Sequence, residues 1–542
     1  MIRAKRLSEG TILLALVVSQ AGYPSVAEAQ TVPAEPFATV DIGDRRQVFI
    51  DKLFLAESRG VELVVHPPRK TGEHTIPADR PWERGGIGPY SSVMKVGDTY
   101  YLWYHAMDSV QWHTGDTNGC ICFARSDDGV HWKKPELGLI EYQGDKANNI
   151  VIGHGAAGLR IGQDGMMVFL DPTAPAEQRF RMVARFGAPV EEGQAIHIFS
   201  SPDGIHWTLT HPSVVTARPQ ERGHHLDCQN VIFWDERIGK YVVYVRKNRS
   251  EPGSQGRCIA RGESERLGGF PVVQDMPIVF GGDRQDLFHG DTPVVDFYLS
   301  AAIQYPWAER AYYMFPTAYY HYIGGALGEF PDAVPTNAGP LDTQFAASRD
   351  GIVWHRYDRR AFVPLGMKGE FDWASARMIR GLVPDTSGRE MYMYYRASDW
   401  LHGWDRDERN KRLLTQAGLG ADQNIAVLSR LVLRRDGFVS VRAAYTGGEF
   451  TTPPLVFNGR RLVLNIDTSA TGIAQVGILD ADGKPHDGFA AGQCDRIHTC
   501  NEINRTVTWQ RRSDLGRLAG KPVRLRFVLS NCDLYAFQFI QD

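Results

Sequence analysis

One heptapeptide recurs along the chain and constrains the fold more than any other feature. It appears as Ser126-Asp127-Asp128-Gly129-Val130-His131-Trp132, as Ser201-Pro202-Asp203-Gly204-Ile205-His206-Trp207, and as Ser348-Arg349-Asp350-Gly351-Ile352-Val353-Trp354. The pattern S-x-D-G-x-x-W is that of a tight hairpin. Asp-Gly supplies the positive-φ positions, the Ser and Asp oxygens bond back to turn amides, and Trp opens the next strand. One copy is weak evidence, but the spacing is strong: Ser126 and Ser201 stand 75 residues apart, and Ser201 and Ser348 stand 147 apart. A unit of that period fits one blade of a β-propeller with long loops. A fourth, eroded copy is expected near residue 276, and Arg261–Phe270 lies close to it.

Five such units, each of four short strands, fill residues 85–446. Their second strands are alike, as in Tyr101-Leu102-Trp103-Tyr104, Tyr241-Val242-Val243-Tyr244 and Met391-Tyr392-Met393-Tyr394. The heptapeptides are expected to join the outer two strands of units one, two and four. The last unit is expected to end on Phe438–Arg442. Residues 30–84 lead in, with strands at 47–51 and 61–65 that pair with the last blade and so remove a sheet edge. After Gly447-Gly448, alternating apolar segments such as Arg461–Asp467 and Val523–Leu529 predict a separate β-sandwich over 447–542. The fold class is therefore all-β: a five-bladed β-propeller followed by a C-terminal β-sandwich.

Arg3, Lys5 and Arg6, the apolar run from Thr11 to Val18, and Ala27-Glu28-Ala29 have the layout of a signal peptide ending at residue 29. An exported protein, periplasmic or extracellular, is expected, without membrane insertion. The formal charge of −3 offers no surface for nucleic acid. Seven cysteines leave at least one unpaired, and Cys494 with Cys500, flanking a short loop, is the expected disulfide. No phosphate loop, dinucleotide fingerprint or H-E-x-x-H motif is present, so no cofactor is expected. A calcium ion in the funnel finds no D-x-D-x-D loop to support it.

The S-x-D-G-x-x-W hairpin, set in a chain of five repeats behind a leader, resembles that of the five-bladed propeller glycoside hydrolases, the invertase, levansucrase and arabinanase-like enzymes. Pro81-Trp82-Glu83, Pro135-Glu136-Leu137-Gly138-Leu139 and Asn148-Asn149-Ile150-Val151 are similar to stretches of uncharacterised exported glycosyl-hydrolase-like bacterial proteins. The resemblance implies a carbohydrate substrate and glycosidic cleavage. It does not carry roles over by motif, because the N-D-P-N-G, R-D-P and E-C signatures of the invertase type are absent from the corresponding places.

Roles are therefore read from position. Inner strands of a propeller begin at the central funnel, and glycoside hydrolysis calls for two carboxyl groups there, one protonated and one ionised. Glu83 precedes the first inner strand and Asp227 the third, and this is the pair expected to act. Asp296 in unit four and Glu370 before unit five are the next pair. Each is equally readable as a loop charge or a cap; Asp372 stands level with Glu370 before Arg377, and Asp79, Asp164, Asp171 and Asp291 rank behind them. His225, Gln229 and Asn230 surround Asp227. Trp82, Tyr90, Tyr305, Trp307, Tyr320 and Trp400 are candidates for stacking on sugar rings, or for packing between blades. His321, Arg377 and His402 complete the candidate binding set. A non-catalytic sugar-binding propeller is one alternative. A polysaccharide lyase is another; it would place a Tyr or His base beside basic residues that neutralise a uronate.

Overall fold

The computed structural model describes residues 38–108, 119–153, 165–186, 194–219, 226–248, 256–286, 295–321, 338–404, 407–420 and 425–541. The expected leader at 1–29 lies outside them, as do Asp164, His225 and Asp291. Thr39–Asp542 forms one unit.

The propeller-like part begins with three four-stranded antiparallel sheets in chain order. The first comprises Gly86–Val96, Thr99–Met107, Gly119–Ser126 and Ile150–Ile152; the second, Met167–Leu170, Phe180–Phe186, Gln194–Ser201 and Thr208–Ala217. The third comprises Val231–Asp235, Lys240–Asn248, Arg257–Ser264 and Ile278–Phe280. Then the regularity changes. Val295–Phe297, Thr317–Tyr320 and Leu341–Thr343 run into Ser375–Met378, Glu390–Ser398 and Ala426–Arg434 as one eight-stranded sheet. Four sheets of this kind stand where five separate blades were expected.

The reason for the merger is local. Leu341 pairs in parallel with Ser375. The Thr343 hydroxyl donates to the Ala376 carbonyl (2.8 Å) and accepts from the Met378 amide (3.1 Å). Pro316, which has no N–H, splits the second strand of this region. The outer half survives as a three-stranded patch of Ile303–Gln304, Tyr312–Met314 and Ala346–Ser348.

The recurrent turns are alike in all three copies. Each Ser hydroxyl accepts from the Gly amide (2.9, 2.8 and 2.9 Å), and one oxygen of each Asp accepts from the two amides after Gly. The glycines have φ of 73°, 81° and 74°. All three turns close the third strand of their unit: Ser126, Ser201 and Ser348 are each that strand's last residue. Ser264 ends the third strand of the third sheet in the same way, its hydroxyl accepting from Arg266 N–H (3.2 Å), so it is the eroded copy.

The chain ends differ from expectation. Val439–Ala443, expected at the edge of the last blade, pairs instead with Cys532–Ile540 and Val61–Val65. The edge it vacates is taken by Arg69–Lys70 on Ala426–Arg434. The C-terminal strands do not form a set of their own: they share one nine-stranded sheet with Gln47–Val48, Glu57–Arg59 and Val61–Val65. Its central strand, Arg461–Leu479, pairs with Cys532–Ile540 along its first half and with Arg524–Ser530 along its second. It turns at Ser469 (φ 49°) around a core of Phe49, Phe450, Phe527 and Phe537.

The Cys494–Cys500 disulfide is not formed; all seven thiols are free. Cys494 Sγ faces the Asp495 carbonyl and Cys500 Sγ faces Glu502, and their backbones pair with different segments, Cys494 with Trp509 and Cys500 with Ser469. Among the described residues no helix is long and apolar enough to cross a membrane, and no group of three or more His, Cys, Asp and Glu is arranged to hold a metal.

Candidate active site

Side chains from four of the sequence repeats converge where inner strands begin and second strands end. Polar side chains tie the repeats to one another beside them. Gln229 Nε2 donates to the Ser91 carbonyl of the first sheet (3.0 Å) and the Met166 carbonyl beside the second (3.3 Å). Arg380 reaches from the last repeat to the Val168 carbonyl (3.3 Å).

Asp296 and Tyr298 project from one strand and Tyr319 and His321 from its partner. Register places Asp296 opposite Tyr319, so all four share a face. His321 Nε2 lies 3.0 Å from Asp296 Oδ2, and Arg257 Nη1 lies 2.6 Å from the same oxygen. Burial pushes the Asp296 carboxyl up, but the His321 hydrogen bond and the Arg257 charge outweigh it and hold it below its ordinary value. Asp296 is thus an ionised anchor. His321 Nδ1 is buried and has no hydrogen-bond partner among the described residues. With Nε2 committed to Asp296, Nδ1 is the ring atom left to give or take a proton.

The second carboxylate is Asp227, paired with Arg246 Nη1 at 3.3 Å and with its side chain 26% exposed. Burial works against the Arg246 charge, and Asp227, the first of the opposing groups, reverses the effect, so Arg246 stays above its usual value. The Arg246 and Arg257 guanidinium groups each stand 5.5 Å from the centre of the Tyr298 ring. One tyrosine therefore separates two carboxylate–arginine pairs. The Tyr298 hydroxyl lies 3.4 Å from that of Tyr90, and His402 packs against Tyr298 and Tyr319 at 5.7 and 5.1 Å.

Arg377 and Arg396 enter from the last repeat, directly opposite each other across two antiparallel strands. The Arg396 guanidinium covers Trp400 at 5.0 Å. Behind Tyr90, fully buried His105 has no hydrogen-bond partner on either ring nitrogen among the described residues, and burial holds its pKa down at about 4.

The structure thus brings together Tyr90, Asp227, Asp296, His321, Arg377, Trp400 and His402. The other candidates lie elsewhere. Glu83 is 0% exposed and shares no partner with the cluster. It accepts from the Asp79 and Arg80 amides (3.0 Å each) and the Tyr104 hydroxyl (2.7 Å), and Lys134 Nζ contacts both its oxygens. Trp82, beside it, donates to Asn149 (3.1 Å) in the blade core. Asn230 bonds its own turn at the Leu226 and Cys228 carbonyls. Tyr305 donates to Asp436 (2.8 Å) and packs edge-on to Trp307. Tyr320 occupies the opposite face of its strand from Tyr319 and accepts from Gln344 (3.2 Å). Glu370 caps the Met367 amide (2.8 Å) and lines a separate cavity of about 570 Å³ with Lys70, His74, Asp372 and Tyr395.

Sequence reasoning missed Arg246, Arg257, Tyr298, Tyr319 and Arg396. The signal available was a single charge at the end of an apolar strand, as in Tyr241–Arg246 and Met391–Arg396. Such a charge stays buried only where something holds it there.

No protein-family model and no curated protein matches the chain. Among solved structures it is similar to one described as a glycoside hydrolase, at 13% identity and TM-score 0.45, over 68% of this chain and 92% of that one. It is also similar to a thermostable family-43 glycoside hydrolase (14%, TM-score 0.40, 66% and 93%). A third is an N-acetylgalactosamine deacetylase from F. plautii in complex with blood group B trisaccharide (14%, TM-score 0.43, 69% and 96%).

Proposed function

We propose that this chain is a carbohydrate-active enzyme that hydrolyses a glycosidic bond at the Asp227–Asp296–His321 cluster. The observation that carries the reading is the His321 ring, held at Nε2 by an ionised Asp296 and, among the described residues, without a partner at Nδ1. Protonated His321 gives its Nδ1 proton to the glycosidic oxygen as the bond to the anomeric carbon breaks and its electron pair passes to that oxygen. Asp227 takes a proton from the water whose oxygen bonds to the anomeric carbon. Asp296 acts through His321 and is a positioning residue. The division of labour between two carboxylates is replaced by a histidine acid and a carboxylate base. The sequence resemblance to propeller glycoside hydrolases supports the same reaction class.

The same reading takes the eight-stranded sheet as two repeats joined at Leu341 and Ser375, which makes five in all. It takes residues 1–29 as a cleaved leader, with Gln30 the first residue of an exported protein, and the C-terminal strands, together with the lead-in strands that share their sheet, as an accessory β-sandwich.

The test is a panel of poly- and oligosaccharides incubated with the purified protein, with new reducing ends and product unsaturation both read. Reducing ends without unsaturation support hydrolysis. An unsaturated product replaces hydrolysis with elimination, and binding without cleavage makes the protein a sugar-binding propeller.

A further inference from the structure

The cluster holds four arginines and two carboxylates. Arg246 is paired with Asp227 and Arg257 with Asp296. Arg377 and Arg396 form no ion pair with a carboxylate among the described residues, although they are only 5% and 2% exposed. Arg377 Nε donates to the Ser375 hydroxyl (3.2 Å). Arg396 Nε donates to the Ile87 carbonyl (3.3 Å), and its Nη1 donates to the Ser398 hydroxyl.

Two like charges facing each other across adjacent strands, out of water and with no carboxylate in ion-pair contact among the described residues, are a costly arrangement. The strain shows in both groups. Burial lowers the Arg377 pKa, and burial followed by the Arg377 charge lowers that of Arg396 further. Asp399 attracts Arg396 and offsets part of this without an ion pair to it, while Tyr90, Trp400 and Tyr298 offer aromatic faces and hydroxyls.

We propose that Arg377 and Arg396 bind the carboxylate of an acidic sugar, so that the substrate is a saccharide containing a uronic acid residue. The proposal rests on the reading of the cluster as a saccharide site. A guanidinium is a planar fork matched to a planar carboxylate, and two of them opposite each other supply donors to both of its oxygens. The substrate would bring a carboxylate into contact with both guanidinium groups, which Asp399 does not, and a neutral sugar would leave the pair as it stands. Trp400, under Arg396, fixes the guanidinium plane.

The experiment is calorimetric titration of the full chain with glucuronate- and galacturonate-containing oligosaccharides. Their carboxyl-reduced counterparts and sulfated neutral oligosaccharides are titrated in parallel. At least one acidic member is expected to bind about thirtyfold or more tighter than its reduced form, the scale for losing one partner of a buried charge pair. In Arg377→Gln that preference shrinks, the loss of affinity being larger for the acidic member than for its reduced form. If Arg377→Gln does not fold, the comparison of acidic with reduced ligand on the unaltered chain decides alone. Equal binding of acidic and reduced forms overturns the carboxylate inference and leaves the saccharide reading standing. Preference for the sulfated series overturns it in favour of a sulfate ester. Absence of binding by every saccharide overturns the saccharide reading, and this inference with it.

Discussion

The Tyr394 hydroxyl donates to the Gly129 carbonyl and thereby ties the last repeat to the first. The same bond recurs between other neighbours. Trp103 Nε1 donates to Gly204 O (2.6 Å) and the Tyr244 hydroxyl to Gly351 O (2.7 Å). In each case an aromatic donor on a second strand meets the glycine carbonyl of a Ser-x-Asp-Gly turn on the next repeat. The recurrent turn is therefore a staple between repeats as well as a hairpin within one. This accounts for the aromatic second strands seen in the sequence.

Loss of one staple has a predictable cost. Tyr394→Phe leaves the Gly129 carbonyl without this donor and is expected to destabilise the protein by about 1–3 kcal/mol. Gly204→Ala should cost more. Its Cβ would meet the Trp103 ring at 2.7 Å, and φ is 81°. Denaturant midpoints of the two variants decide the order; a Tyr394→Phe midpoint equal to that of the unaltered protein would show that the bond contributes nothing.

Glu83 is expected to matter for stability and not for turnover. Glu83→Gln leaves the Lys134 ammonium, 7% exposed, without its enclosed partner, though Asp79 still contacts it at 2.7 Å. Breaking a buried pair in this way costs about 3–5 kcal/mol, with the retained Asp79 contact favouring the lower end. The thermal midpoint should fall while kcat per folded molecule is retained. A kcat loss of a hundredfold in protein that remains folded would return Glu83 to the reaction.

Acid sensitivity should reside partly in the turns. Burial raises the Asp203 carboxyl, but His206 and the Ile205 amide outweigh it and bring its pKa down to about 2. In an unfolded chain an Asp titrates near about 3.9. The folded pKa is the lower one, so Asp203 stabilises the fold fully above about pH 4, and this contribution is lost as pH falls toward about 2. Asp128 and Asp350 shift in the same direction. Thermal midpoints measured from pH 5 to pH 2 should therefore fall less steeply in Asp203→Asn than in the parent chain. Identical slopes would refute the assignment.

The repeat was legible in the sequence because the turn demands particular residues: a hydroxyl, a carboxylate and a glycine at positive φ. Where the copy is eroded, Ser264 alone keeps the signal. The edge strand Arg69–Lys70 was not legible, since two residues carry no periodicity and only the partner strand defines them. Glu83 was misplaced for a geometric reason. It lies three residues before the first inner strand, but the turn Pro81–Glu83 directs its side chain toward Tyr104 and Lys134. The arginines of the cluster answer to no motif. Their pairing emerges only when strand register sets Arg377 opposite Arg396 and when Asp227 meets Arg246.

The proton-transfer roles make the sharpest prediction. His321→Gln removes the Nδ1 proton donor and should lower kcat by about a hundredfold or more on a saccharide with a poor leaving group. On an aryl glycoside whose phenol leaves without protonation, the same variant should lose far less, because the acid is no longer needed. Asp296→Asn keeps the shape but removes the charge that holds His321 Nε2, and should show the same leaving-group dependence in milder form. Asp227→Asn should differ in kind. A missing base slows water attack whatever the leaving group, and added azide, which needs no deprotonation, should restore turnover. If His321→Gln were equally impaired on both substrates, or Asp227→Asn were not rescued by azide, the assignment of acid and base to these two residues would fail.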